Sequence, residues 1–115
     1  MQNKNNTICF FNSAIAWGGG EKWHFDMAVA LQKKGYNILF FANEKSELSK
    51  RLEDTKIKTI KLKVTNLSFL NPLKINFIKT KLKEHNVETI IINLSQDLKL
   101  AGFAAKRAGV KNIVY

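Results

Sequence analysis

Apolar residues along this chain come in short, dense runs separated by longer amphipathic stretches. Thr7 to Asn12 is almost continuously apolar and reads as a first strand. Residues 13–20 form a loop ending in three glycines. Residues 21–34 then carry apolar positions at helical spacing until Gly35 stops the helix. On that helix Trp23, Met27, Ala30 and Leu31 are expected to share the buried face, with His24 and Ala28 on its flank. Phe25 and Val29 lie on another side, which predicts a second neighbour.

The pattern repeats. Residues 36–42 read as a second strand, and Ser46 can cap a short charged helix reaching about Asp54. Residues 57–64 alternate Ile57, Ile60, Leu62 and Val64 with lysines, as a half-exposed third strand would. After an apolar loop at 66–70, Asn71-Pro72 supplies a cap and a first-turn proline for a helix to about Glu84. Residues 89–94 form the most hydrophobic strand, whose three consecutive isoleucines favour burial on both faces. Asp97 is expected as the N-cap of a last helix rich in small residues and closed by Gly109, and residues 112–115 begin a fifth strand. Strands alternating with helices predict an α/β fold: a Rossmann-like doubly wound parallel sheet, five strands in order 3-2-1-4-5. No helix follows the fifth strand to cover it, so residues 1–115 are expected to be the first half of something longer.

The chain's 115 residues suit one domain, and 45% hydrophobic content excludes a disordered or fibrous chain. The single Cys9 sits inside an apolar run, which predicts a buried core thiol in a cytoplasmic protein rather than part of a disulfide framework. No run approaches the length of a membrane span. Lys4, the apolar run after it and Ala14-Ile15-Ala16 mimic a signal peptide, but the apolar core is too short. Net charge is +10, from 17 lysines and only two arginines against nine acids. Near-absence of arginine and the even spread of lysines argue against nucleic acid as a partner. Lys74, Lys79, Lys81 and Lys83 flanking Ile75, Ile78 and Leu82 read first as a core-facing stripe with solvated lysines, with a weak peripheral membrane contact as the alternative.

In open α/β sheets ligands gather beyond the carboxyl ends of the strands, at the switch point between strands one and four. Gly18, Gly19 and Gly20 stand there at a helix start, where backbone can approach a phosphate; a turn requiring positive φ explains them equally well. Glu21 suits the positive end of the helix dipole, whereas Lys22 breaks that rule and is either a ligand contact or simply solvated. Asn93 could satisfy loop backbone or meet a sugar hydroxyl. Asn43-Glu44 could meet a ribose or acceptor hydroxyl, or form a surface turn. Asp97 is a cap or a ligand contact. The chain has no G-x-x-x-x-G-K-[ST] loop, no complete G-x-G-x-x-G fingerprint and no G-x-S-x-G elbow. Its two histidines, His24 and His85, are too far apart in sequence to suggest a metal cluster. No catalytic set is complete within the segment.

The stretch Phe11-Asn12-Ser13 through Trp17-Gly18-Gly19-Gly20-Glu21-Lys22-Trp23, continuing to Leu31-Gln32-Lys33-Lys34-Gly35-Tyr36, resembles the opening of family 4 glycosyltransferases. Their pattern is a strand, G-G-x-E, an amphipathic helix and a glycine before strand two. Asn93-Leu94-Ser95-Gln96-Asp97 through Gly102, with Ala108-Gly109-Val110, looks like the family's fourth unit. The resemblance implies a GT-B enzyme, with two Rossmann-like halves facing across a cleft. The first half mainly holds the acceptor, a saccharide or other cell-envelope molecule, and the second binds the nucleotide-sugar. It further implies transfer with retention, no cofactor or required metal, and Gly18 to Gly20 near the donor diphosphate. The substrate-binding candidates are then Gly18, Gly19, Gly20, Glu21, Lys22, Asn93 and Asp97. Many relatives place a histidine after strand four, and residues 93–97 contain none; the E-x7-E motif belongs to the second half. The chain alone is therefore expected to be inactive. A stand-alone, non-enzymatic flavodoxin-like or nucleotide-binding module is the competing reading.

Overall fold

The computed structural model describes residues 6–115; Lys4 lies outside them. Five parallel strands, β1 (Thr7–Asn12), β2 (Asn37–Asn43), β3 (Lys58–Leu62), β4 (Val87–Ile92) and β5 (Asn112–Val114), form one sheet in order β3-β2-β1-β4-β5. The helices are α1 (Gly19–Lys33), α2 (Glu47–Glu53), α3 (Pro72–Glu84), α4 (Ser95–Asp97) and α5 (Phe103–Ala108). A π-helical turn at Leu98–Gly102 joins the last two, and a 3-10 turn at Ser68–Leu70 precedes α3. Order and class are those expected.

Period-two alternation sorts the strand side chains into two cores. Cys9, Phe11, Leu39, Phe41, Ile90 and Ile92 meet α3 and α5, while Ile8, Phe10, Ile38 and Phe40 meet α1 and α2. The three isoleucines of β4 divide accordingly: Ile90 and Ile92 face one layer, and half-buried Ile91 packs on the other. Burial on both faces follows from β4's interior place between β1 and β5. Cys9 is fully buried, and desolvation pushes its thiol well above the ordinary range.

One expected face is corrected, on α1, and on α3 the core-facing alternative holds. On α1 the buried line is Glu21, His24 and Ala28, with Trp23 half exposed and Ala30 exposed. The polar residues Glu21 and His24 are drawn inward because Asn12 offers them partners, something an apolar count cannot register. On α3, Ile78 and Leu82 are buried in the core and Ile75 packs against it. The stripe considered for membrane contact is therefore the core face. Among the described residues no helix is long and apolar enough to cross a membrane.

Candidate functional site

The carboxyl ends of β1, β2 and β4 converge on one residue, Ser13. Its backbone N–H donates to Asp97 Oδ2 at 2.8 Å and its hydroxyl to Asp97 Oδ1 at 2.6 Å. Gln96 Nε2 donates to the same hydroxyl at 3.1 Å, and Asn43 Nδ2 to the Ser13 carbonyl at 3.3 Å. Asp97 is consequently not an N-cap: the helical stretch starts at Ser95 with Leu94 in the cap position, and the Asp97 carboxylate turns inward to β1. Burial pushes its pKa up to about 6, against the opposing pull of the two Ser13 hydrogen bonds. Asn43 is likewise buried. Its Oδ1 closes the turn to the Lys45 N–H at 2.9 Å, and exposed Glu44 pairs with Lys63 at 3.3 Å.

One residue earlier, buried Asn12 organises the start of α1. Its Nδ2 donates to Glu21 Oε2 at 3.1 Å and lies 3.3 Å from His24 Nδ1, while its Oδ1 accepts from the Ala14 N–H at 3.0 Å. A neutral imidazole with its proton on Nε2 satisfies this contact. Burial holds His24 down to about 4, with the Glu21 charge pulling the other way. Its ring packs edge-on against Phe10 and Phe40. Every buried side-chain nitrogen and oxygen among the described residues has a partner.

The glycine loop is thus anchored at Ser13. It is anchored again at Trp17, whose ring meets Phe25 edge-on and carries the Arg51 guanidinium 4.2 Å from its centroid. Positive φ occurs among the described residues only at Gly35, Asn86 and Gly109, so the turn explanation for Gly18 to Gly20 is overturned. The three serve different ends. A Cβ on Gly20 would stand 2.3 Å from Asn93 Nδ2, so this glycine lets α1 lie against the end of β4. A Cβ on Gly18 would come within 3.2 Å of Glu21 Oε1. Around Gly19 there is open space, and both Gly18 and Gly19 are exposed. No described residue offers an acceptor to the backbone N–H groups of Gly19, Gly20 and Glu21 at the α1 N-terminus, and Gly18 supplies no capping side chain. These donors, on exposed Gly19, half-buried Gly20 and buried Glu21, stand at the positive end of a four-turn helix at the switch point, a setting that suits an anion such as a phosphate.

The sequence candidates divide accordingly. Gly18, Gly19, Gly20, Glu21 and Asn93 come together at one rim, and Asp97 underlies it through Ser13. Lys22 turns away: its Nζ pairs with Asp26 at 2.6 Å on the exposed face of α1. The residues missed were Asn12, Ser13, Gln96 and Trp17. Two adjacent polar residues ending an apolar strand were the available signal for the first pair.

No known family model matches the sequence, and no curated protein does. Among solved structures, a glycosyltransferase from Rickettsia africae superposes with a TM-score of 0.76 at 19% identity, over 94% of this chain and 28% of that one. HepE from Anabaena, in complex with UDP and glucose, gives 0.69 at 21% identity over the same shares. The C-terminal domain of a Pyrococcus furiosus hydrogenase gives 0.62 at 20% identity, over 97% of this chain and 91% of that domain. The chain thus spans little more than a quarter of the first two proteins. At these identities the likeness shows the fold, a Rossmann-like unit shared with GT-B glycosyltransferases.

Proposed function

We propose that this chain is the N-terminal, acceptor-side half of a retaining, family 4-like GT-B glycosyltransferase. In this reading the intact enzyme moves a sugar from a nucleotide-sugar to a saccharide or other cell-envelope acceptor. The observation that carries it is the uncapped amide cluster of Gly19, Gly20 and Glu21 at the β1/β4 switch point, with open space beside Gly19. Its support from outside the chain is that a fold neighbour carries UDP and glucose. Gly18 to Gly20 would approach the donor diphosphate, Asn93 would reach a sugar or acceptor hydroxyl, and Asp97 would hold the loop through Ser13. Lys22 is a weaker contact, because it would first have to leave Asp26. The second half would supply most donor contacts and the paired glutamates.

The test is sugar transfer by the full-length protein of the parent gene with a panel of nucleotide-sugars, following product anomeric configuration by NMR. Transfer with retention, absent in the 115-residue chain, is the expected result. Inversion would remove the family 4 assignment, and no transfer with any donor would remove the transferase reading. The domain-length match to the hydrogenase domain favours a second reading, a self-sufficient binding module. A parent gene encoding no second Rossmann-like half would favour that module.

A further inference from the structure

The glycine rim stands at the carboxyl end of the sheet. At the opposite end, beneath the amino ends of β1, β2 and β3, lies an open cavity of about 680 Å³. That volume is within the roughly 300–1,000 Å³ of small-molecule sites. Three connections wall it: the end of α1 and its turn (Gln32, Tyr36), the approach to β3 (Lys56, Lys58) and the turn after α3 (His85, Asn86). Each turn is closed by a left-handed residue, Gly35 at φ +94° and Asn86 at φ +54°. The N–H groups of Gly35, Tyr36, His85 and Asn86 turn back to helix carbonyls, so these turns offer the cavity side-chain donors rather than backbone ones.

The side chains of Gln32, Lys56, Lys58 and His85 have no hydrogen-bond or ion-pair partner among the described residues. Ile57, between the two lysines, is buried in the α1/α2 core, which sends Lys56 and Lys58 together to the other side. Glu84, the acid in the described lining, is held by Lys81 at 3.3 Å. Asn86 Nδ2 donates to Asn6 Oδ1 at 2.9 Å, which leaves the Asn86 amide oxygen as an acceptor. Two ammonium groups without a counter-charge select an anion. The Gln32 amide presents donors and an acceptor together, and with the Asn86 oxygen it matches hydroxyls, which donate and accept at once. Inorganic phosphate alone would leave these amides unused, and a neutral sugar would leave the lysines unpaired.

We propose that this cavity binds a small anionic sugar, with its phosphate or carboxylate on Lys56 and Lys58 and its hydroxyls on Gln32 and Asn86. The site is remote from the glycine rim and stands independently of the glycosyl-transfer reading.

The test is an amide NMR titration of the 115-residue chain with glucose 6-phosphate, glucuronate, glucose and inorganic phosphate. Saturable shifts at Gly35 and Asn86 are expected with at least one of the two anionic sugars, and the one that binds identifies the anion. Glucose and inorganic phosphate should each bind about tenfold more weakly or worse. Lys56→Gln/Lys58→Gln changes two exposed side chains and should weaken anionic-sugar binding about tenfold or more with an unchanged circular dichroism spectrum. Gln32→Ala should weaken it several-fold. Absence of a saturable shift with either anionic sugar would overturn the proposal, whatever the variants do. Shifts centred on Gly18 to Gly20 would also overturn it, because the anion would then sit at the glycine rim. Equal affinity for inorganic phosphate, or undiminished binding by the folded lysine variant, would do the same.

Discussion

Replacing Asp97 by asparagine separates a buried titration from the rest of the chain. The Asp97 carboxyl has an ordinary value of 3.8 when unfolded and about 6 when folded, because burial disfavours its charge more than the Ser13 hydrogen bonds favour it. Its stabilising contribution is complete below about pH 4 and is lost as pH rises through about 6, where the folded chain must ionise a buried acid. A shift of about two units corresponds to about 3 kcal/mol. His24 runs the other way, since burial holds it near 4 rather than 6.5, so stability is lost as pH falls through that range. The two slopes oppose each other, and the wild-type curve alone reveals neither. Asparagine keeps the geometry: its amide oxygen accepts from the Ser13 N–H, and its nitrogen donates to the Ser13 hydroxyl. Urea unfolding of both proteins between about pH 4 and about pH 7.5 gives a difference curve from which all other groups cancel. The variant should gain about 2.5 kcal/mol relative to wild type across the interval, the rest of the roughly 3 kcal/mol falling below about pH 4. A flat difference curve would refute the assignment of that titration to Asp97.

Other perturbations follow from backbone and packing. Gly20→Ala should change stability by no more than about 1 kcal/mol, because the exposed Asn93 side chain it meets can swing aside, and Asn93→Ala in the same chain should make the alanine variant more stable than its glycine counterpart, read by thermal melts. Gly109→Ala, at φ +78°, should cost about 1 kcal/mol despite the open space around it. Gly19→Ala should leave stability unchanged or raise it by up to about 1 kcal/mol, because open space surrounds it and its φ is not left-handed.

Alternation of apolar runs with helical periods was enough to define the sheet, because burying both faces of a parallel strand leaves a continuous apolar signature such as Ile90-Ile91-Ile92. It failed on α1, where the buried line includes a glutamate and a histidine. Hydropathy ranks Trp23 above Glu21, yet the Asn12 amide makes Glu21 the interior residue. The site divided similarly. The glycine run was visible in the sequence, and its position at the switch point followed from strand order. The Ser13–Asp97 bond spans 84 positions and brings together residues that look, taken locally, like a loop and a helix cap. Only the β1–β4 pairing brings them into contact.

The central claim is that the backbone at Gly18 to Gly20 lies against a donor diphosphate, and Gly19 is where a side chain can test it. Gly19 has open space, so Gly19→Val in the full-length protein obstructs only what approaches from outside. The measurement is kcat/KM for sugar transfer, taken beside the melting temperature of the same preparation. Loss of one or two charge-assisted hydrogen bonds, at about 1.5–3 kcal/mol each, predicts a fall of about tenfold or more with the melting temperature nearly unchanged. Unchanged transfer by a fully folded Gly19→Val enzyme would contradict the claim.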